Sequence, residues 1–391
     1  MKKIISILLS IALLVTAFTF AVSAASTDTV LQFNSDGKFK IMLFADSQDD
    51  DDLEETTTAL MREAIAKYNP DLIIYLGDNT VADGYDGQKT AIEAVTLPAR
   101  EANIPFAIVF GNHDQEHNVT KEELLEIYQS LGCLTYDAAP EIYGCGNCNL
   151  PILSSDGSKI AFNLWLMDSG SKGILEDGSS SYDWIREDQL QWYKETAAAL
   201  KAANGGETVP AMNFQHIVIP EIYDAIHIQV PFENDSLTYN YFGNHYFKLP
   251  VFTRLDGYWL EECCPPNCYD GQLDAWLETG DVIAAFHGHD HNNSYNVNIE
   301  GVDVINVPTV GCNSYSKYVS RGVGLITLDE TNPTDYEYEL IHLYDLALAE
   351  DSTIPECEGG RERSFYALVK VADTLVQMLF RFIKFTGLNK L

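Results

Sequence analysis

Six short apolar runs, each broken off by a polar cluster, constrain what this chain can fold into. IMLFA (41–45) ends at Asp46, LIIYL (72–76) at Gly77-Asp78-Asn79, and FAIVF (106–110) at Gly111-Asn112-His113-Asp114. IAFNLWLM (160–167) ends at Asp168, AMNF (211–214) at Gln215-His216, and VIAAF (282–286) at His287-Gly288-His289-Asp290-His291. Runs of four to eight residues rich in branched and aromatic types read as buried strands where helices alternate with them. Helical segments do alternate with the early runs. Leu53, Leu60, Met61, Ala64, Ile65 and Tyr68 share one helical face ahead of Asn69-Pro70. Thr120 to Glu123 has the form of a capping box, opening a helix through Leu124, Leu125, Ile127, Tyr128 and Leu131, and residues 185–203 predict another. Strand–helix–strand units of this kind build parallel or mixed sheets covered on both faces, so the expected class is α/β. In such folds ligands gather beyond the carboxyl ends of the strands, which is where every polar cluster stands.

The 391 residues, 46% of them apolar, suffice for one large domain. Two lysines, a long apolar segment and Val22-Ser23-Ala24 predict a secretory leader over residues 1–24, hence a secreted or cell-surface protein; an uncleaved anchor is the alternative. A catalytic domain is then expected over 25–345 and a tail over 346–391. The net charge of −34 sets up a field that repels phosphate polymers, so no nucleic-acid partner is expected. Eight cysteines in an exported chain suggest disulfides, with a structural zinc at Cys145/Cys148 or Cys263/Cys264/Cys268 as the other possibility. Residues 228–270, rich in aromatics and holding three cysteines, form either an insertion over the site or a cysteine-stapled excursion. Residues 366–385 carry Lys370, Asp373, Thr374, Gln377, Arg381 and Lys384 three or four apart among apolar residues. That pattern is an amphipathic helix, which either packs on its own domain or makes peripheral contact with a membrane.

The polar groups at the strand ends are Asp46, Gln48, Asp78, Asn112, His113, His216, His289 and His291. Carboxylates, amide oxygens and imidazoles together match the ligand preferences of divalent transition metals. Taken in order, Asp46-Ser47-Gln48, Gly77-Asp78-Asn79, Gly111-Asn112-His113-Asp114, Gln215-His216 and Gly288-His289-Asp290-His291 resemble the calcineurin-like metallophosphoesterase family, over roughly residues 39–330.

That resemblance implies two mixed β-sheets sandwiched between helices, with two divalent ions (Mn, Fe or Zn) at one edge. It implies Asp46, Gln48, Asp78 and His291 around one ion and Asp78, Asn112, His216 and His289 around the other, with Asp78 bridging. His287 would be structural. The implied reaction is hydrolysis of a phosphomonoester or phosphodiester by a metal-bridging hydroxide, with His113 protonating the leaving group and Asp114 orienting His113. Gln48 stands where the family usually has histidine, which marks the chain as a variant, bacterial-type exported member. Val81 stands where purple acid phosphatases have their tyrosine, so an iron-tyrosinate colour is not expected. Asp49 to Asp52 are expected to cap the following helix, and Asp168-Ser169-Gly170 to touch substrate. Two other readings compete: a glycosidase using Asp46 and Asp78, and a metal-binding surface module with little or no turnover.

Overall fold

The computed structural model describes residues 29–52, 54–234, 236–241, 243–247, 257–316, 319–354, 367–376 and 378. The leader expected over 1–24, and residues 366, 377 and 379–385 of the expected amphipathic segment, lie outside the described residues.

Alternation along the strands explains the layering. In β2 (Lys38–Phe44), Ile41 and Leu43 point to one side and Met42 and Phe44 to the other, and all four are fully or almost fully buried. A strand buried on both faces belongs in an inner layer. The sheet that contains it has the order β17 (Tyr336–His342), β16 (Gly322–Asp329), β2, β3 (Leu72–Leu76), β4 (Phe106–Val109). Strands β2, β3 and β4 run parallel, whereas β16 is antiparallel to both β2 and β17.

The second sheet has the order β1 (Leu31–Gln32), β5 (Cys148–Leu153), β6 (Ile160–Leu166), β9 (Ala211–Phe214), β13 (Val282–His287), β15 (Val302–Asn306), β14 (Asn296–Ile299). Its central strands β6, β9, β13 and β15 are parallel, with β5 and β14 antiparallel to β6 and β15. Ile41, Leu43, Leu72, Ile74 and Leu76 of the first sheet share one core with Phe162, Leu164, Met212, Phe214 and Phe286 of the second.

Helices cover the outer faces. Met42, Phe44, Ile73, Tyr75 and Ile108 lie beneath α1 (Glu55–Tyr68), α2 (Gly84–Val95), α3 (Leu97–Glu101), α4 (Lys121–Ser130) and α8 (Leu343–Ala347), through Leu60, Ile92, Ala99, Leu124 and Leu346. Trp165 and Ala285 lie beneath α5 (Glu187–Ala203), α6 (Ile222–Ile226) and α7 (Gln272–Thr279), through Tyr193, Leu200, Ile222 and Trp276. The fold is therefore two mixed β-sheets sandwiched between helices. The Thr120–Glu123 capping box is present in both directions at the start of α4. At α1, by contrast, Asp50 to Asp52 cap nothing; Asp49 instead folds the turn, its Oδ1 accepting the N–H groups of Asp50 and Glu54.

Two small sheets lie outside the sandwich: the hairpin β7 (Lys172–Ile174) with β8 (Ser180–Tyr182), and β10 (Gln229–Val230), β12 (Asn244–Phe247), β11 (Thr238–Tyr241) in the aromatic insertion. The insertion is held by rings, with Tyr223 stacked on Tyr241 at 3.8 Å, and not by disulfides. Cys133, Cys145, Cys148, Cys263, Cys264, Cys268 and Cys312 are all free thiols. Cross-linking therefore plays no part among the described cysteines, against the expectation from their even count.

Candidate metal centre

The carboxyl ends of β2, β3, β9 and β13 meet at one edge of the sandwich. Backbone bonds tie their loops together: Asp46 N–H to Gly77 O at 3.1 Å, Gln48 N–H to Asp78 O at 2.9 Å, and Gly288 N–H to His216 O at 3.1 Å. The motif glycines are required by this crowding. A Cβ on Gly111 would lie 2.2 Å from Asp78 Oδ1, and one on Gly288 would lie 2.7 Å from Asp46 Oδ2. Gly77 combines both demands, with φ +88° and a Cβ that would meet His216 Nδ1 at 2.7 Å. Asp46, Gln48, Asp78 and His289 adopt left-handed φ values of 50°, 39°, 49° and 71°. Strain of this kind persists where the surrounding structure over-determines it.

Asp78 is the hub. Its Oδ1 accepts the His113 N–H at 2.7 Å, and its Oδ2 lies 3.1 Å from His216 Nε2. His216 Nδ1–H donates to the Leu76 carbonyl at 2.8 Å, which turns Nε2 toward Asp78. His291 repeats the device: Nδ1 bonds the Tyr315 carbonyl at 3.1 Å and Nε2 lies 3.4 Å from Asp46 Oδ1. Asp46 Oδ1 is also 3.8 Å from His216 Nε2, and its carboxylate accepts the His289 N–H.

Two buried atoms in these loops, Asn112 Oδ1 and His289 Nε2, have no hydrogen-bond partner, and His216 Nε2 has only the Asp78 carboxylate beside it. Buried polar atoms are almost always paired, so lone-pair donors left open in these loops fit a cation. Donor atoms of Asp78, His216 and His289 lie within 4.8 Å of one another, as do those of Cys264, His289 and Asp290. The residues present thus fit a pair of metal ions, in two candidate clusters that have His289 in common, and a neutral imidazole gives its single lone pair to one of them.

Electrostatics agree. Burial works against the His216 imidazolium, but the Asp78 and Asp46 carboxylates outweigh it and raise its pKa to about 10. Burial likewise works against the Asp78 carboxylate, and His216 outweighs that effect, holding Asp78 well below the usual carboxylate range. A divalent ion would replace the His216 proton. Burial and the nearby His216 push His289 down to about 3, leaving it a neutral ring able to donate a lone pair.

The sequence reading of Asp114 needs correction. Its buried carboxylate accepts the backbone N–H groups of Gly111, Asp78 and Asn79 at 2.7, 2.9 and 3.0 Å, stitching the two loops together. The group on His113 Nδ1 is Glu116 Oε2, at 2.6 Å, and Lys172 holds Glu116 Oε1 at 3.1 Å. The i,i+3 spacing of His113 and Glu116 was the available signal. Asp168 is buried, its carboxylate accepting from Lys121 Nζ at 2.7 and 3.0 Å and from the N–H groups of Cys145 and Gly170. His287 is buried at the end of β13 and belongs to neither cluster. Tyr182, which sequence reasoning missed, sets its ring edge-on to His289 at 4.4 Å between centroids. Two cavities adjoin the centre and share Lys172. One, of about 720 Å³, is lined by Glu116, Lys121, Tyr143 and Asp168; the other, of about 420 Å³, by Tyr182, Tyr241, Glu262 and Cys264.

The model of the calcineurin-like phosphoesterase family matches residues 39–293, more than half of the chain. The chain is 28% identical over 323 residues to probable inactive purple acid phosphatase 14 of Arabidopsis thaliana, covering 73% of this chain and 74% of that one. It is 25% identical over 288 residues to phosphatase DCR2 of Saccharomyces cerevisiae, covering 68% of this chain and 46% of that one. Among solved structures, a dimetal phosphatase from Danio rerio aligns at 16% identity and TM-score 0.48, over 78% of this chain and 96% of that one.

The expectation of a variant, bacterial-type exported member that has lost a metal-binding histidine to Gln48 is corrected by the same observations. The metal-holding set Asp78, His216 and His289 is intact, with no glutamine in it. Gln48 turns its amide nitrogen toward Asp78 Oδ2 at 3.4 Å. With the metal-holding residues in place and the family model spanning the sandwich, the chain belongs to the calcineurin-like phosphoesterase family.

Proposed function

We propose that the chain hydrolyses a phosphomonoester or phosphodiester at this centre. The observation that carries the reading is the cluster of Asp78, His216 and His289, whose donor atoms lie within 4.8 Å of one another with His289 Nε2 buried and unpartnered. Two divalent ions bound there would neutralise the charge of a phosphate ester and acidify the attacking water. The chain's own contribution is orientation. The Leu76 and Tyr315 carbonyls fix the tautomers of His216 and His291, and Asp114 locks the Asp78 loop to the His113 loop. Glu116 accepts from His113 Nδ1–H and presents the other ring nitrogen for protonating the leaving oxygen. The relatives named probable inactive purple acid phosphatases suggest a second reading, a metal-holding module without turnover. The intact ligand set favours hydrolysis. The test is cleavage of para-nitrophenyl phosphate against bis-para-nitrophenyl phosphate with Mn, Zn, Fe or no added metal; metal-replete protein inert toward both would decide for the module.

The C-terminal helix supports a further proposal about partners, contact with an anionic membrane surface. Residues 367–376 are helical, and their polar side holds the body: Lys370 Nζ bonds Asp345 at 2.5 Å, and Asp373 takes the hydroxyls of Tyr344, at 2.8 Å, and Tyr258. Leu368, Val371, Leu375 and Met378 are left 58–69% exposed. The segment's cations Arg361, Arg363, Lys370, Arg381, Lys384 and Lys390 outnumber Glu362 and Asp373 in a chain of net charge −34. An outward apolar stripe with local positive charge suits an anionic bilayer. Co-sedimentation with phosphatidylglycerol vesicles should be lost in Val371→Asp/Leu375→Asp; binding unchanged by those substitutions would refute the contact.

A further inference from the structure

We propose that Cys264 is a metal ligand, so that the cysteine-rich insertion forms part of the metal centre and supplies it with a thiolate. The inference rests on the reading of a paired metal centre given above. Donor atoms of Cys264, His289 and Asp290 lie within 4.8 Å of one another. Donors bound at about 2.0–2.3 Å to a common ion stand at most about 4.6 Å apart, so small side-chain rotations close this set on one cation. His289 is about nine-tenths buried, with Nε2 unpartnered, and it joins this cluster to the Asp78–His216 pair. Asp290 accepts from the Cys263 thiol at 2.9 Å and the Cys264 N–H at 3.2 Å. An ionised carboxylate offers about four lone-pair sites, so capacity for a cation remains.

The segment that carries Cys264 is held in place by a network, and the thiol itself donates to the Glu262 carbonyl at 3.6 Å. Glu261 accepts the Asn292 N–H and the Asn292 side-chain amide, both at 2.7 Å. Asn293 Oδ1 accepts the N–H groups of Leu260 and Glu261 at 2.9 and 3.1 Å. Cys263 is pinned between Asp290 and the Tyr295 hydroxyl at 3.0 Å. Residues 260–264 are thereby fastened to the loop that carries His289 and His291, the kind of support that orients metal ligands. Cys264 is only partly buried and lines the smaller cavity beside Tyr182, so a cation can reach it from solvent.

A thiolate beside imidazole and carboxylate favours Zn(II), Co(II) or Fe(II) over Mg(II) or Mn(II), which prefer all-oxygen sets. The insertion would then set which metal the centre takes.

Cobalt(II) gives a direct test on the full-length protein. Visible ligand-field bands report that cobalt is bound, and a near-ultraviolet charge-transfer band reports a sulfur ligand. The charge-transfer band should be present in the wild type, lost in Cys264→Ser, and kept in Cys268→Ser and Cys312→Ser. Zinc affinity of Cys264→Ser should fall at least about tenfold, since even supporting residues around a metal are worth that much. Iodoacetamide should label Cys264 in the metal-free wild type and fail to label it after cobalt loading, a readout that does not depend on the variant folding. Ligand-field bands without the charge-transfer band would overturn the role of Cys264 while leaving the metal centre standing. No cobalt uptake at all would overturn both.

Discussion

Replacing Gly111 by alanine tests how the centre is built, because the cost can be worked from the geometry. Gly111 does not have the left-handed φ that would bar a side chain, so alanine is acceptable to the backbone and the penalty is steric. The new Cβ would stand 2.2 Å from Asp78 Oδ1 and 2.4 Å from the Asp78 nitrogen, where uncrowded contact needs about 3.5 Å. Asp78 cannot retreat freely. Its N–H is bonded to Asp114 at 2.9 Å and its carboxylate accepts from His113 at 2.7 Å. A shift of about 1 Å breaks at least one charge-assisted bond, costing about 1.5–3 kcal/mol, on top of about 1–3 kcal/mol of overpacking. The expected total, about 2.5–6 kcal/mol, is a large part of a typical stability of about 5–15 kcal/mol. Gly87→Ala is the control: it lies within α2, its Cβ would meet Ala82 Cβ at an ordinary 3.4 Å, and it should stabilise by about 0.5–1 kcal/mol. Urea unfolding and metal content after equilibration with zinc are the measurements. Gly111→Ala should lose both stability and bound metal. Wild-type values for both would refute the claim that the glycine exists to let Asp78 approach.

Four other outcomes are expected. Glu116→Gln should lower kcat for substrates with poor leaving groups by tenfold or more, with unfolding midpoint and metal content unchanged; an unaltered kcat would show that Glu116 does not position His113. Chelation should abolish activity and lower the thermal midpoint, since an ion at about 1,000 times its Kd contributes about 4 kcal/mol; a midpoint indifferent to chelator would refute the fit of the orphaned donors to a cation. Burial pushes His227 down to about 4, so the unfolded chain takes up its proton first as pH falls from about 6.5 to 4. Stability should be full above pH 6.5 and drop by up to about 3 kcal/mol as pH falls through 4, and His227→Phe should flatten that window; parallel acid titrations of the two proteins would show otherwise. Asp281→Ala strands Trp165 Nε1 beneath α5 and α7 and removes a charged acceptor from Thr279 Oγ1 and the Tyr193 hydroxyl, which keep their bond to each other. It should cost about 2–4 kcal/mol in urea unfolding while sparing hydrolysis, and a loss below about 1 kcal/mol would place that network outside the stabilising core.

What the sequence disclosed and what it withheld follow from the range of the interactions involved. The runs at 41–45, 72–76, 106–110, 160–167, 211–214 and 282–286 overlap β2, β3, β4, β6, β9 and β13, because inner strands covered on both faces must be apolar nearly throughout. Strand β17, Tyr336–His342, escaped notice: it lies at a sheet edge with its burial alternating, and its charged residues Glu337 and Glu339 interrupt any apolar run. The ligand types at the strand ends were legible because metal chemistry restricts them. The roles of Asp114 and Glu116 were not, since both lie close to His113 in sequence and only the turn decides that backbone N–H groups claim Asp114. Cys264 is likewise brought to Asp290 by the path of the insertion, which no local pattern encodes. The left-handed conformations of Asp46, Asp78 and His289 carry this furthest. Each costs roughly 1–2 kcal/mol in an L-residue, and nothing in an aspartate or a histidine announces it. That cost is tolerable because β2, β3 and β13, buried between helices and a second sheet, leave their carboxyl ends no other path. The double-layered core is thus what aims the donors, and substitutions deep in Ile41, Ile74 or Phe286 should loosen the metal centre before they unfold the chain.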